Sequence, residues 1–475
     1  MDEVKLSDDV IEQIKDFKFW DLTEEQESLI DKLITDKELN EHYKENGLCH
    51  ECKQPKSSYW YCRVCNSKHF QQNFKNWTSG NHDVDEFIQK AQLKAKHAQQ
   101  IIEWIEYDNF EDIEYLAKGG FGTIFKANWK DRYLVWDDDD NQWRRSFGHT
   151  RVALKCLHNS QDITADFLKE VESNFLTKSH NDYIVRCYGI TKDQKANNFM
   201  MVMELNDGSL RQYLNNKFIS LDWKNKLFFL SCITSGLRVI HNRGFIHHDF
   251  HCGNILTIFD APHITDLGLC RPANVKSSQD SNKKIYGVLP YVAPEVLRGK
   301  EYTQASDIYG FGIIAYENCT GLPPYHDVAH DNSLAMKICQ GLRPTSNYKI
   351  PQLLFDIIIQ CWDANPLKRP NANELEKSIW GLFVNIRDYE NSAIYKQAKE
   401  ADEINKNSPL KVQSTLSSTG TLSYTTHPQA VYTSKLLDFK NLPEPKNADN
   451  NETEYSESVK IDFTKLDNNS KDESN

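Results

Sequence analysis

The chain has 475 residues, 39% of them apolar and 26% charged, with a formal net charge of −12. So acidic a balance argues against nucleic acid as the main partner, because a polyanion needs clustered lysine and arginine. No apolar run approaches the ~18 residues of a membrane span, and the polar start MDEVKLSDDV is no secretory signal, so no membrane partner is expected and the cytoplasm, or else the nucleus, is the expected location.

Residues 1–45 alternate apolar and acidic positions, as in IEQIKDF and ESLIDKLI, and predict short amphipathic helices. Residues 46–80 lose that period and carry CHEC at 49–52 and CRVC at 62–65, four of the chain's twelve cysteines. In a reducing compartment such cysteines are thiols or metal ligands rather than disulfides. Each C-x2-C can place two thiolates on one ion, so Cys49, Cys52, Cys62 and Cys65 suit a closed tetrahedral zinc site with Zn–S bonds near ~2.3 Å, structural rather than catalytic. A redox C-x-x-C and metal-free thiols are the competing readings. His50 and His69 lie nearby and read as surface histidines. The aromatic flanks SYWYC and HFQQNFKNW suit packing better than stacking on a peptide or single-stranded nucleic acid. The other cysteines are scattered and read as small core residues, with Cys252 and Cys270 as weak candidates for reactivity. Residues 81–107 predict a linker helix, DVDEFIQKAQLKAKHAQQIIEWIEY, capped by Asp83 or Asp85.

Residues 108–385 begin rich in strands, to about 205, and continue as helices. Within the strand-rich part WDDDDNQW at 136–143 predicts the solvated turn of an extended hairpin, since adjacent carboxylates cannot pack in a core. LAKGGFGTIFKANW at 116–129 is a glycine-rich stretch, whose backbone can turn tightly and approach a phosphate. VALK at 152–155 ends an apolar strand on Lys155, and FLKEV at 167–171 puts Glu170 on a helix. MMVMEL at 200–205 is a further apolar strand. FIHHDFHCGNIL at 245–256 sets Asp249 five residues before Asn254, and ITDLGL adds Asp266. APE at 293–295, DIYGFG at 307–312 and CWDANPLKRP at 361–370 follow.

In this order and spacing the motifs resemble a eukaryotic protein kinase over about residues 108–385, and CWDANPLKRP resembles the tyrosine-kinase-like serine/threonine group. The resemblance implies an α+β, bilobal fold, with a small β-rich lobe and a large helical lobe, here preceded by the zinc module. It implies that ATP is held by Gly119, Gly120, Phe121, Gly122 and Ile124, with Ala153 and Leu256 completing the site. Met203 would gate the back pocket, and Glu204 and Asn206 would offer backbone groups to the purine. Lys155, paired with Glu170, would hold phosphates; Asp249 would orient the acceptor hydroxyl; Asn254 and Asp266 would hold magnesium. Glu295 and Arg369 would pair to anchor the activation segment, and Asp307 would contact the catalytic-loop backbone.

Several positions depart from the family pattern. Ala117 replaces a glycine, His248 the arginine beside the catalytic Asp, His251 a lysine, Leu267 a phenylalanine and Val288 a threonine. A neutral histidine lacks arginine's fork for phosphate, so activity is expected to depend weakly on modification at Ser277, Ser278, Ser281 or Tyr286. The acceptor is expected to be serine or threonine of protein substrates, with tyrosine as the alternative. The rival reading is an inactive pseudokinase scaffold that binds nucleotide and presents the zinc module and tail to protein partners. After residue 385 a helix end leads into a Ser/Thr-rich, then acidic tail, expected to be disordered because it cannot bury enough apolar surface. YTSKLLDFKNLPEPK at 432–446 reads there either as a docking peptide or as a chance apolar cluster.

Overall fold

The computed structural model describes residues 5–58, 61–118, 122–137, 142–145, 148, 150–157, 163, 165–177, 183–267, 271–272, 285–406 and 424–448. They fall into two compact units, divided after Asn206.

The first unit opens with the expected short helices, α1 (Asp8–Ile14), α2 (Glu24–Leu33) and α3 (Lys37–Asn46). Thr23 and Gln26 close a capping box at the start of α2, an arrangement worth about 1 kcal/mol. Ile14, Ile30, Ile34 and Tyr43 form a small core between these helices. The cysteine loop follows and leads into α4 (Arg63–Asn73), then α5 (His82–Lys94).

Helix α5 is shorter than the sequence pattern suggests, and its cap is different. Asn81 is the N-cap, accepting from the Asp83 and Val84 amides, while Asp83 and Asp85 lie in the first turn, where negative charge favours the helix dipole. Beyond Lys94 the β-branched and aromatic run IIEWI leaves the helix, because such side chains suit a pleated surface. It supplies β1 (Glu103–Trp104).

The remaining strands are β2 (Phe110–Lys118), β3 (Gly122–Trp129), β4 (Leu134–Asp137), β5 (Gln142–Arg145), β6 (Thr150–Leu157), β7 (Cys187–Asp193) and β8 (Asn198–Glu204), with α6 (Ala165–Thr177) between β6 and β7. Five of them and β1 form one sheet in the order β1-β7-β8-β6-β3-β2. β1 joins β7 in parallel, and Gly189 permits it: a Cβ there would lie 1.9 Å from the Glu103 carbonyl oxygen. Trp129, Val152, Leu154, Met200 and Val202 pack as the core of this sheet.

β4 and β5 are the expected acidic hairpin, pairing Trp136 with Trp143. One acidic residue is not solvated. Asp137 is buried and meets Arg144 at 2.6 Å; the ion pair is what lets a carboxylate leave water. The tip, 138–141, lies outside the described residues.

The second unit is mainly helical. It contains α7 (Leu210–Lys217), α8 (Trp223–Asn242), β9 (Phe245–Ile246), β10 (Ile255–Ile258), β11 (Ala261–Ile264), β12 (Arg271–Pro272), β13 (Ile285–Gly287), α9 (Pro294–Leu297) and α10 (Gln304–Thr320). It continues with α11 (Asn332–Cys339), α12 (Gln352–Cys361), α13 (Ala372–Asp388), α14 (Ala393–Lys406) and β14 (Lys435–Leu437). α10 is buried along its whole length from Ser306, Asp307 and Glu317 included; α8 and α12 pack on it. No helix among the described residues is long and apolar enough to cross a membrane.

The tail is described only in part. Residues 424–448 are described, and β14 within them pairs antiparallel with β13. Leu437 is 4% exposed. Of the two readings of 432–446 the structure has the docking peptide, and its target is the chain's own helical unit. The strand satisfies backbone groups that an apolar cluster alone would leave in water. The rest of the tail expectation, at 407–423 and 449–475, falls outside the described residues.

Candidate active site

In the first unit, antiparallel pairing of β3 and β6 sets Ile124 opposite Lys155 and Gly122 opposite Leu157. Gly122 has no substitute: a Cβ would stand 2.1 Å from the Cys156 carbonyl oxygen. Gly119, Gly120 and Phe121 lie outside the described residues. Lys155 Nζ donates to Glu170 Oε1 at 2.7 Å, and both side chains are buried. β6 and α6 therefore deliver the expected ion pair. Ala153 and Met203 are buried partners across β6 and β8. The Glu204 amide donates to the Arg186 carbonyl at 2.9 Å, so its N–H is used within the unit. Asn206 is half-buried.

In the second unit the loop that begins at His247 hangs on Asp307. This buried carboxylate accepts the His247 amide at 2.8 Å, the His248 amide at 3.2 Å and the His241 ring at 2.9 Å. Burial alone would raise its pKa, but His241, His247 and the His247 amide outweigh it and hold the carboxyl below its usual value of 3.8. His247 is fully buried, and burial lowers its pKa. Its Nε2 faces the Thr265 carbonyl at 3.0 Å, and its Nδ1 accepts the Asp249 amide at 3.3 Å. A neutral ring satisfies both bonds. His248 takes a left-handed backbone conformation, φ 71°, with its ring 4.7 Å from that of Tyr302.

Asp249 is 3% exposed. Its Oδ2 accepts from Asn254 Nδ2 at 3.1 Å and from Ser434 Oγ at 2.6 Å, and lies 3.5 Å from His251 Nε2. Among the described residues Oδ1 has no hydrogen-bond partner. Burial pushes the Asp249 pKa up, but His251, the Ser434 hydroxyl and His247 bring it below 3.8 overall. The carboxyl is therefore ionised at neutral pH. Asn254 also donates to the Asp249 carbonyl at 2.9 Å. With its amide nitrogen so engaged, its side-chain oxygen is the end that can face a hard cation. Asp266 is half-buried at φ 61°, and Leu256 is half-buried on β10.

Arg369 grips Glu295 with two bonds, 2.7 and 2.8 Å, and both residues are buried. Val288 is buried, so the apolar residue that replaces threonine strands no hydroxyl. Cys252 is fully buried and burial raises its thiol well above 9.0, which makes it unreactive. Cys270, Ser277, Ser278 and Ser281 lie outside the described residues.

Two residues at this site escaped the motif search. His251 occurs in it only as a departure from pattern, yet its Nε2 stands 3.1 Å from Ser434 Oγ. Ser434 lies 185 positions from Asp249. The one signal for it was the apolar stretch 432–446.

The four cysteines also converge. Their sulfur atoms all lie within 4.8 Å of one another, with Cys49–Cys65 at 3.7 Å and Cys52–Cys62 at 3.6 Å. Hydrogen bonds with Cys52 and Cys62 push the Cys49 thiol down, hydrogen bonds with Cys49 and Cys52 push Cys62 up, and burial pushes up Cys65. Four sulfur atoms this close are a donor set that fits a divalent cation, which binds cysteine as thiolate. His69 is buried rather than on the surface, and its Nε2 meets Glu51 at 3.2 Å, not the sulfur cluster. Phe70 stacks on Trp143 of the β4–β5 hairpin at 4.3 Å, so this aromatic flank is engaged in packing.

Comparison with known proteins agrees with these geometries. The family model described as protein tyrosine and serine/threonine kinase matches residues 110–379. The serine/threonine-protein kinase VIK of Arabidopsis thaliana is 30% identical over 59% of this chain and 64% of its own length. The probable serine/threonine-protein kinase roco5 of Dictyostelium discoideum is 31% identical over 58% of this chain and 10% of its own. The tyrosine-protein kinase SPK-1 of Girardia tigrina is 25% identical over 62% and 57%. The chain thus spans less than two thirds of the length of each of these relatives. With the match covering more than half of the 475 residues, the chain belongs to the protein tyrosine and serine/threonine kinase family.

Proposed function

We propose that the chain is an ATP-dependent protein kinase that transfers the γ-phosphate to serine or threonine of protein substrates. The observation that carries this reading is the ionised Asp249 carboxylate meeting an aliphatic hydroxyl at 2.6 Å. That is the encounter phosphoryl transfer to serine requires, with the carboxylate orienting the hydroxyl and taking its proton. Lys155, fixed by Glu170, holds phosphate oxygens of the nucleotide. Asn254 and Asp266 are the oxygen donors for magnesium, which supplies charge neutralisation on the phosphates when bound. His251 takes the lysine's position and holds the acceptor hydroxyl through Nε2. The group resemblance, to tyrosine-kinase-like serine/threonine kinases, supports the same acceptor class.

The cysteine cluster is read as a structural zinc site. A tetrahedron with ~2.3 Å Zn–S bonds has edges of about 3.8 Å, close to the two short sulfur separations of 3.6 and 3.7 Å.

The test is phosphate transfer from magnesium-ATP to casein by the full chain, beside Asp249→Ala, with phosphoamino-acid identification. Loss of the catalytic carboxylate should cost about 10²–10⁴ in rate, and the labelled residue should be serine or threonine. Equal labelling by both proteins, with nucleotide still bound, would instead favour the pseudokinase scaffold.

A further inference from the structure

The tail brings three hydroxyls near the catalytic loop, from Tyr432, Thr433 and Ser434. They are not equivalent. The Tyr432 hydroxyl donates to the Pro324 carbonyl at 2.9 Å, and Thr433 is exposed. Ser434 alone among them reaches Asp249, at 2.6 Å.

The direction of that hydrogen bond follows from His251. Its Nδ1 accepts the Gly253 amide at 3.0 Å, so in the neutral ring the proton sits on Nε2. Nε2 then donates to Ser434 Oγ at 3.1 Å. With a lone pair so occupied, the serine hydrogen points to Asp249 Oδ2. The hydroxyl is held from two sides in the orientation of a nucleophile.

The backbone around Ser434 is equally fixed. Immediately after it, β14 adds a strand to β13, pairing Lys435 with Gly287 and Leu437 with Ile285. The Ser434 carbonyl accepts from the Tyr286 hydroxyl at 3.1 Å. Two residues before it, the Tyr432 ring lies under the Arg211 guanidinium at 4.2 Å. Strand addition with side chains anchored on both sides is a recurring mode of peptide recognition.

We propose that residues 424–448 are a substrate bound in cis and that Ser434 is the kinase's own phosphoacceptor. This rests on the kinase reading above. In the transfer Ser434 Oγ bonds to the γ-phosphorus of ATP. The bond from that phosphorus to the β–γ bridging oxygen breaks, ADP leaves with the electron pair, and the hydroxyl proton passes to Asp249 Oδ2. The product places a phosphate of about −1.5 to −2 charge beside a buried carboxylate. That repulsion expels the strand and opens the acceptor site to other proteins. The same contacts define what those proteins should present: an aromatic residue two before the acceptor and an apolar one three after it.

The experiment uses the full chain, its Ser434→Ala variant and its Lys155→Met variant, each with magnesium-ATP and casein. Phosphosites are mapped by mass spectrometry over time and across a dilution series. The expected result is phosphate on Ser434 in the wild type, absent from both variants, at a first-order rate that dilution leaves unchanged. Casein labelling by the wild type should accelerate as Ser434 fills, and Ser434→Ala should show no acceleration. Labelled casein beside unmodified Ser434 overturns the proposal and leaves the kinase reading standing. Labelling of Ser434 that slows on dilution overturns the cis arrangement. No transfer to either acceptor, with wild type and Lys155→Met alike, overturns the kinase reading and the proposal with it.

Discussion

Asp307 gathers two backbone amides and one imidazole on a single buried carboxylate. Its pKa is lower in the folded chain than the 3.8 of a free side chain, so the unfolded chain binds its proton first as pH falls. The stabilisation it contributes is present above about pH 4 and is lost as pH drops through the folded value. Urea denaturation across pH should show Asp307→Asn less stable than wild type at neutral pH, the gap closing toward acid. Parallel curves would remove Asp307 from this role. The Glu295–Arg369 pair calls for a larger effect. Arg369→Ala leaves a buried carboxylate without its partner, an imbalance worth about 3–5 kcal/mol, to be read from the same titration at pH 7. The motif runs and their resemblance to a kinase singled out Asp249, Asn254, Lys155, Glu170 and this pair, and the contacts Lys155–Glu170, Asn254–Asp249 and Arg369–Glu295 are present. Ser434 has no such run. It reaches Asp249 by strand pairing, and a contact across 185 positions leaves no local pattern. His251 was visible but read only as a missing lysine, since its partner was unknown.

At the level of elements, periodicity served long amphipathic stretches and failed where the environment changed. The stretch 83–106 continues to look helical in composition, yet Ile101, Ile102, Trp104 and Ile105 are all buried, and burial on both faces erases the helical stripe. The cysteine cluster was legible because two C-x2-C runs can bring four sulfur atoms together. Its packing was not, since Phe70 meets Trp143 only through the fold. That stack allows a test. Stripping metal with a chelator, or the substitution Cys52→Ser, should abolish hydrogen-exchange protection across residues 48–70 and shift Trp143 fluorescence, while the helical unit melts unchanged. A chain that holds no zinc by elemental analysis and keeps its protection in chelator would remove the zinc reading. Trp143→Ala should weaken the same loop by roughly 0.5–1.5 kcal/mol beyond lost burial.

For the whole molecule, the family match starts at residue 110, yet the sheet begins earlier. β1 forms the outer edge beside β7, and the Ile105 amide adds a bond to the Ile190 carbonyl at 3.0 Å. A chain shortened to begin at residue 110 should therefore scatter light and sediment as aggregates, while one beginning at residue 82 stays monodisperse at equal concentration. Equal behaviour of the two would deny β1 any protective part. The reason lies in Gly189, whose missing side chain lets the Glu103 backbone come so close. A strand with a glycine on its rim carries no bulk to turn away a stranger. Without its two-residue hem, β7 would offer an unguarded row of amides and carbonyls to any neighbouring chain.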